Sequence, residues 1–202
     1  MEMRKLGRVF LAGAAIMILG AWVSSAATLS IDEKGIKVAT GGATSFILGF
    51  PELRGDGDKI FKMSDKKVAG KDIKMKFEGG AEAVVTVGKD NIDVKFDKLP
   101  GDAKHFRMTM QIGFDYAMAA KWKAGDGQLA AFPAEKPSTP HIFQGNATSF
   151  ELAGTSGNMK LTAPQYSFIQ LTDCREWNWK NFTFFFNAPI LKETPSATIT
   201  IN

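Results

Sequence analysis

Four residues in the last third of the chain have the types and spacing of a sugar-holding surface: Asp173, Arg175, Trp177 and Trp179. They occupy alternate positions of the run Gln170–Asn187, which holds two of the three tryptophans outside the N-terminal region and the only cysteine. Read as one extended strand, alternate side chains share a face. Two indoles at i and i+2 then offer flat apolar surfaces about 7 Å apart, on which the C–H face of a sugar ring stacks. A carboxylate acceptor and a forked guanidinium donor beside them suit hydroxyl groups. Gln170 and Asn178 are possible neighbours, and Trp122, between Lys121 and Lys123, adds a third ring from a loop. The even positions Phe182, Phe184 and Phe186 fall on the opposite face, as a core requires. The same pattern also describes a tryptophan-rich strand roofed by a second layer, in which the rings are packing residues. What separates the two readings is whether Trp177 and Trp179 point into water.

Catalytic signatures are sparse. The two histidines, His105 and His141, have no spaced partner, and no His-Glu-x-x-His or Cys/His cluster offers a zinc site. His105 falls on the outward parity of an alternating run and His141 follows Pro140, so both read as surface residues. No Gly-x-Ser-x-Gly elbow or phosphate-binding loop is present. A retaining glycosidase needs two carboxyl groups about 5 Å apart. Asp173 and Glu176, three apart, would lie on opposite faces of a strand unless a bulge intervened. Asp115 is the remaining candidate acid. Asp56-Gly-Asp58 and Asp126 sit in glycine-rich turns but lack the twelve-position spacing of a helix–loop–helix calcium site, so they read as solvated turns. The expectation is a chain that works without metal or cofactor and without catalysis. A small glycan-cleaving enzyme and a structural or adhesive surface protein are the rivals.

The elements that would position these residues begin after a targeting signal. Met1–Arg8 is basic, Val9–Val23 is an apolar run of roughly 15 residues, and Ser24-Ser-Ala-Ala27 supplies small residues for cleavage. That run is shorter than the 20 or so residues of a membrane span. No cysteine follows it for a lipid anchor. The expectation is a secretory leader over 1–27, cleaved after Ala26 or Ala27, and a single domain over 28–202 that is secreted, periplasmic or extracellular with no stable span left. Loss of Arg4, Lys5, Arg8 and Glu2 lowers the formal net charge from +4 to +2, which argues against nucleic acid as a partner. Cys174 has no intramolecular partner, and its parity with the phenylalanines makes it a buried thiol.

Beyond the leader the chain reads as short strands separated by turns. Ile73–Phe77, Ala81–Val87 and Ile92–Phe96 alternate strictly or nearly so, at about ten-residue spacing, with Gly79-Gly80 and Gly88–Asn91 between them. This is the pattern of an antiparallel meander. His105–Ile112, Thr148–Leu152, Asn158–Thr162 and Ala197–Asn202 continue it, and Ala117–Trp122 has room for one helical turn. Ala131–Pro140, with three prolines, reads as a linker or long crossover. Gly41–Leu48 returns as Gly145–Leu152 with six of eight positions identical, without extending into a repeat. About a dozen short strands and no helical layer predict an all-β, two-sheet antiparallel sandwich of jelly-roll type. A membrane barrel would need longer strands.

Ser149–Pro164 and Phe168–Phe182 resemble the β-sandwich accessory regions of large secreted bacterial polysaccharide-degrading enzymes. The likeness spans about 40 residues and rests on pattern rather than on a named motif. It implies a sugar-facing or scaffold sandwich with a polysaccharide or other glycan as partner, and it carries over no catalytic residue.

Overall fold

The computed structural model describes residues 27–41, 44–193 and 195–202. The expected leader lies outside these residues except for Ala27, which is buried. Strand periodicity governs almost everything described. The first ten strands are β1 (Thr28–Ile31), β2 (Gly35–Ala39), β3 (Ser45–Gly49), β4 (Glu52–Gly55), β5 (Ile60–Phe61), β6 (Met63–Ala69), β7 (Asp72–Phe77), β8 (Glu82–Val87), β9 (Asn91–Lys98) and β10 (Ala103–Gly113). A five-residue helix, α1 (Phe114–Met118), interrupts them. Then follow β11 (Ala120–Ala124), β12 (Ala130–Ala131), β13 (His141–Asn146), β14 (Ser149–Gly154), β15 (Gly157–Thr162), β16 (Phe168–Asp173), β17 (Asn181–Pro189) and β18 (Ser196–Ile201).

They form two antiparallel sheets of nine strands each, the sandwich expected from the alternation. The first runs β1-β2-β3-β10-β17-β16-β13, with β4 also on β10 and β5 on β4. Strand β10 serves two partners along one edge: Met110 faces Leu48 of β3, while Ala103–Arg107 face Gly55–Glu52 of β4. The second runs β12-β11-β14-β15-β18-β9-β8-β7-β6 and contains the predicted meander as consecutive neighbours.

The core lies between the sheets because inward positions are apolar at a period of two. From β10 and β17 come Phe106, Met108, Met110, Ile112, Phe182, Phe184 and Phe186, none more than 1% exposed. Their register sets Met108 against Phe186, Met110 against Phe184 and Ile112 against Phe182. The two halves of the internal echo fall one in each sheet, on β3 and β14, and each turns its phenylalanine (Phe46, Phe150) inward. The proline-rich stretch crosses from β12 in one sheet to β13 in the other.

Two sequence expectations need correction. Gln170–Asn187 is not one strand: β16 ends at Asp173, a single 3-10 turn covers Cys174–Trp177, and β17 begins at Asn181. The turn is encoded by hydrogen-bonding side chains that outcompete the ladder locally. Asp173 caps it by accepting from the Arg175 N–H at 3.0 Å, and Asn178 takes the left-handed conformation (φ 63°) that asparagine tolerates. The single helical turn also sits earlier than expected, at Phe114–Met118, so Trp122 belongs to strand β11 rather than to a loop.

Candidate functional site

The β16–β17 connection brings Trp177 and Trp179 to the surface, 50% and 59% exposed. They are held by the turn, not by strand alternation. The Asn178 N–H donates to the Arg175 carbonyl at 3.1 Å, and the Trp179 N–H to the Cys174 carbonyl at 3.2 Å. Below them Cys174 is buried with its Sγ 3.1 Å from Thr183 Oγ1.

Asp173 and Arg175 do not share a free face with the indoles. Asp173 is 1% exposed, and its carboxylate takes the Arg175 guanidinium at 3.0 Å (Nε to Oδ1) and 2.6 Å (Nη2 to Oδ2). Arg175 also donates to three carbonyls of the proline-rich crossover: Pro133 at 2.8 Å, Ala134 at 2.6 Å and Glu135 at 3.0 Å. Its guanidinium carbon lies 5.0 Å from the Phe114 ring centroid and 5.5 Å from that of Phe182, while Phe132 of the crossover packs on Phe182 at 4.8 Å. Burial pushes the Asp173 carboxyl up, but the hydrogen bonds and charge of Arg175 outweigh it and hold the group below its ordinary value. The pair is thus a clamp that fixes the tryptophan-bearing turn to the crossover. The sequence contained a signal for it, since aspartate is a favoured capping residue and an asparagine five positions on tolerates the left-handed backbone that ends such a turn.

Trp122 stands on β11. It shares the inward parity of Ala120 and Ala124, is half-buried, and meets Phe143 of the other sheet at 5.9 Å and 60°, closing one edge of the sandwich. Its indole N–H is buried without a partner among the described residues. Glu176 is paired with Lys136 at 2.6 Å, and Asp115 is exposed on α1. Asp56 and Asp58 form a 3-10 turn and face Lys104 at 3.6 Å and Arg107 at 4.0 Å.

Sequence reasoning missed a second cluster on the outer face of the first sheet. A depression of ≈ 520 Å³ lies over the start of β10, the start of β16 and the end of β17. Phe185 and Phe168 line it, with Tyr166 at 76% exposure. The Arg107 guanidinium carbon lies over the Phe185 ring, 4.5 Å from its centroid, and Nε donates to Asn187 Oδ1 at 2.8 Å. His105 is half-buried beside it with Nε2 unpartnered among the described residues. Burial, then the neighbouring Arg107 charge, hold His105 below its ordinary value. The visible signal was the outward parity of His105, Arg107, Thr109 and Gln111 on one strand. Which residues of β16 and β17 lie beside that row is decided only by strand pairing. A larger depression, ≈ 670 Å³, opens between β1 and the turns of the second sheet, but it contains no aromatic ring.

No family model matches the chain, and no curated protein matches it. Among solved structures it is similar to a GH31 family sulfoquinovosidase from E. rectale in complex with an aza-sugar inhibitor, at 10% identity and a TM-score of 0.46. The similarity covers 85% of this chain and 32% of that one, so the chain spans about a third of the length of the structure it matches.

Proposed function

We propose that this protein is an exported, non-catalytic β-sandwich that holds an extracellular polysaccharide, with Trp177 and Trp179 as its stacking surface. The observation that carries this reading is the pair of indoles, 50% and 59% exposed, on a turn anchored by an ion pair whose carboxylate is buried. Leaving two indoles in water forgoes the burial that large apolar side chains normally obtain. A ligand surface gives that exposure a purpose, because a ring with one apolar face stacks on indole while its hydroxyls stay wet. The clamp adds to affinity indirectly: a turn already fixed in position loses little conformational freedom on binding. In this reading Asp173 and Arg175 support the platform without touching the sugar, and Trp122 belongs to the sandwich edge.

Affinity electrophoresis through gels containing a panel of plant and microbial polysaccharides tests the proposal. Trp177→Ala and Trp179→Ala should each remove retardation by the polysaccharide that slows the wild type, with far-ultraviolet circular dichroism unchanged. Equal retardation of the folded variants would retire the platform. Loss of self-association in either variant, seen by sedimentation, would instead make the indoles a protein–protein contact.

A further inference from the structure

Three arginines lie among the described residues, and their terminal nitrogens differ in one respect. Arg175 is saturated by Asp173 and three carbonyls. Arg54 is held by Glu52 through Nε and Nη2 and by the Asp58 carbonyl through Nη1. Arg107 is fixed only at Nε, by Asn187, and by its stack on Phe185. Among the described residues its Nη1 meets no acceptor, and its Nη2 has only Asp58, at 4.0 Å and outside hydrogen-bond reach. A half-buried guanidinium immobilised on one edge, with the other edge open to a depression, is pre-organised for a planar oxyanion.

The rest of the depression fits a ring that carries such a group. Phe185 and Phe168 provide apolar surface, and Tyr166 stands at the rim with a positive φ of 61°, a conformation that costs a bulky residue energy and that clusters at ligand sites. The Gln170 amide oxygen can accept from a hydroxyl, its nitrogen being taken by His141 Nδ1 at 2.8 Å and Thr172 Oγ1 at 2.9 Å. Two cations, Lys104 and Arg107, line the depression against one carboxylate, Asp58, and Lys104 lies 3.6 Å from Asp56.

We infer that this depression is a second binding site, separate from the tryptophan turn, and that it takes the carboxylate of a uronic acid unit, with Arg107 as the bidentate donor and Phe185 beneath it. That the carboxylate is borne on a sugar rests on the glycan reading above; the oxyanion site itself does not. The strand distance from Asn181, at the tryptophan end of β17, to Asn187 is about 20 Å, so the two sites lie toward opposite ends of that strand.

The test is a titration of the ¹⁵N-labelled protein with sodium D-glucuronate, D-glucose and sodium sulfate in parallel, followed by two-dimensional NMR. Glucuronate should shift the Phe185, Asn187 and Gln170 amides and the His105 ring, glucose should not, and sulfate should act at least about tenfold more weakly. Arg107→Gln should weaken the glucuronate response at least about tenfold, and Arg107→Lys, which keeps the charge but loses the fork, should recover only part of it. Absence of these shifts, an equal response to glucose, an equal response to sulfate, or a full response in either variant would overturn the inference. The Trp177 and Trp179 indole signals, read in the same spectra with an oligosaccharide from the retarding polysaccharide, report the other reading independently.

Discussion

Phe150 of β14 and Phe184 of β17 stack across the sandwich with ring centroids 4.1 Å apart and planes 17° from parallel, one from each sheet and both fully buried. Phe184 also meets Phe186 at 6.2 Å, and Phe186 meets Phe106 at 6.3 Å, so a chain of rings runs along the core under β10 and β17. The outer faces of those strands carry the Arg107 cluster, and β17 leads back to the tryptophan turn. Core packing and surface chemistry are therefore set by the same two strands.

Phe184→Ala should destabilise the protein by about 4 kcal/mol, the cost of lost burial plus a cavity that neighbouring strands cannot close. Urea denaturation followed by circular dichroism measures it. A loss below about 1 kcal/mol would show that the inter-sheet stack is not a packing centre.

Asp173→Ala should cost about 3 kcal/mol, because it leaves the Arg175 guanidinium without its buried counter-charge and loosens the crossover. Arg175→Ala should cost a comparable amount and should also expose residues 133–135 to proteolysis. Limited proteolysis with mass mapping distinguishes this from a mere surface pair, whose loss would cost about 0.5 kcal/mol and open no new cleavage site.

Acid should unfold the protein partly through Asp173 and Glu151. At both, burial opposes ionisation but is outweighed: Arg175 lowers Asp173, and hydrogen bonds from Lys123 and Lys160 lower Glu151. A carboxyl with a depressed folded-state value contributes stability that is complete above its unfolded value and is lost as the pH falls through the folded one. Stability measured against pH should fall below the ordinary carboxylate range, and Asp173→Asn should flatten that limb.

His105 acts in the same direction at milder pH. Its folded value is lowered, so the unfolded chain takes up the proton first, and stability should decline as the pH drops below the ordinary histidine value of 6.5. His105→Gln should remove that part of the slope. Occupation of the neighbouring Arg107 site by an anion should raise the His105 value, which NMR titration of the ring reads directly.

At the alkaline end Tyr116 is the group to follow. Its hydroxyl donates to the Gly157 carbonyl at 2.8 Å, and burial pushes the phenol up to about 12. A raised value means that the contribution is complete below pH 10 and fades as the pH climbs through the folded value. Difference ultraviolet titration of wild type against Tyr116→Phe should isolate a transition near 12, and that variant should lose about 1 kcal/mol at neutral pH.

The alternation of apolar and polar residues was enough to determine the all-β class, the two-layer arrangement, the β7–β8–β9 meander and the inward phenylalanines of β17, because strand period and burial are local properties of the chain. The identity of the outward row on β10 was legible for the same reason. Alternation was misleading at Asp173–Trp179, where a capping aspartate and a left-handed asparagine override the strand and convert four apparent face-mates into a clamp and two exposed rings. Nothing local to residues 105 and 107 shows that Phe185 and Asn187 lie beside them, eighty positions away in the case of the Arg107–Asn187 bond. Strand pairing alone creates that neighbourhood: register is set by which apolar faces bury together, and the open edge of Arg107 exists only once β17 has been aligned against β10.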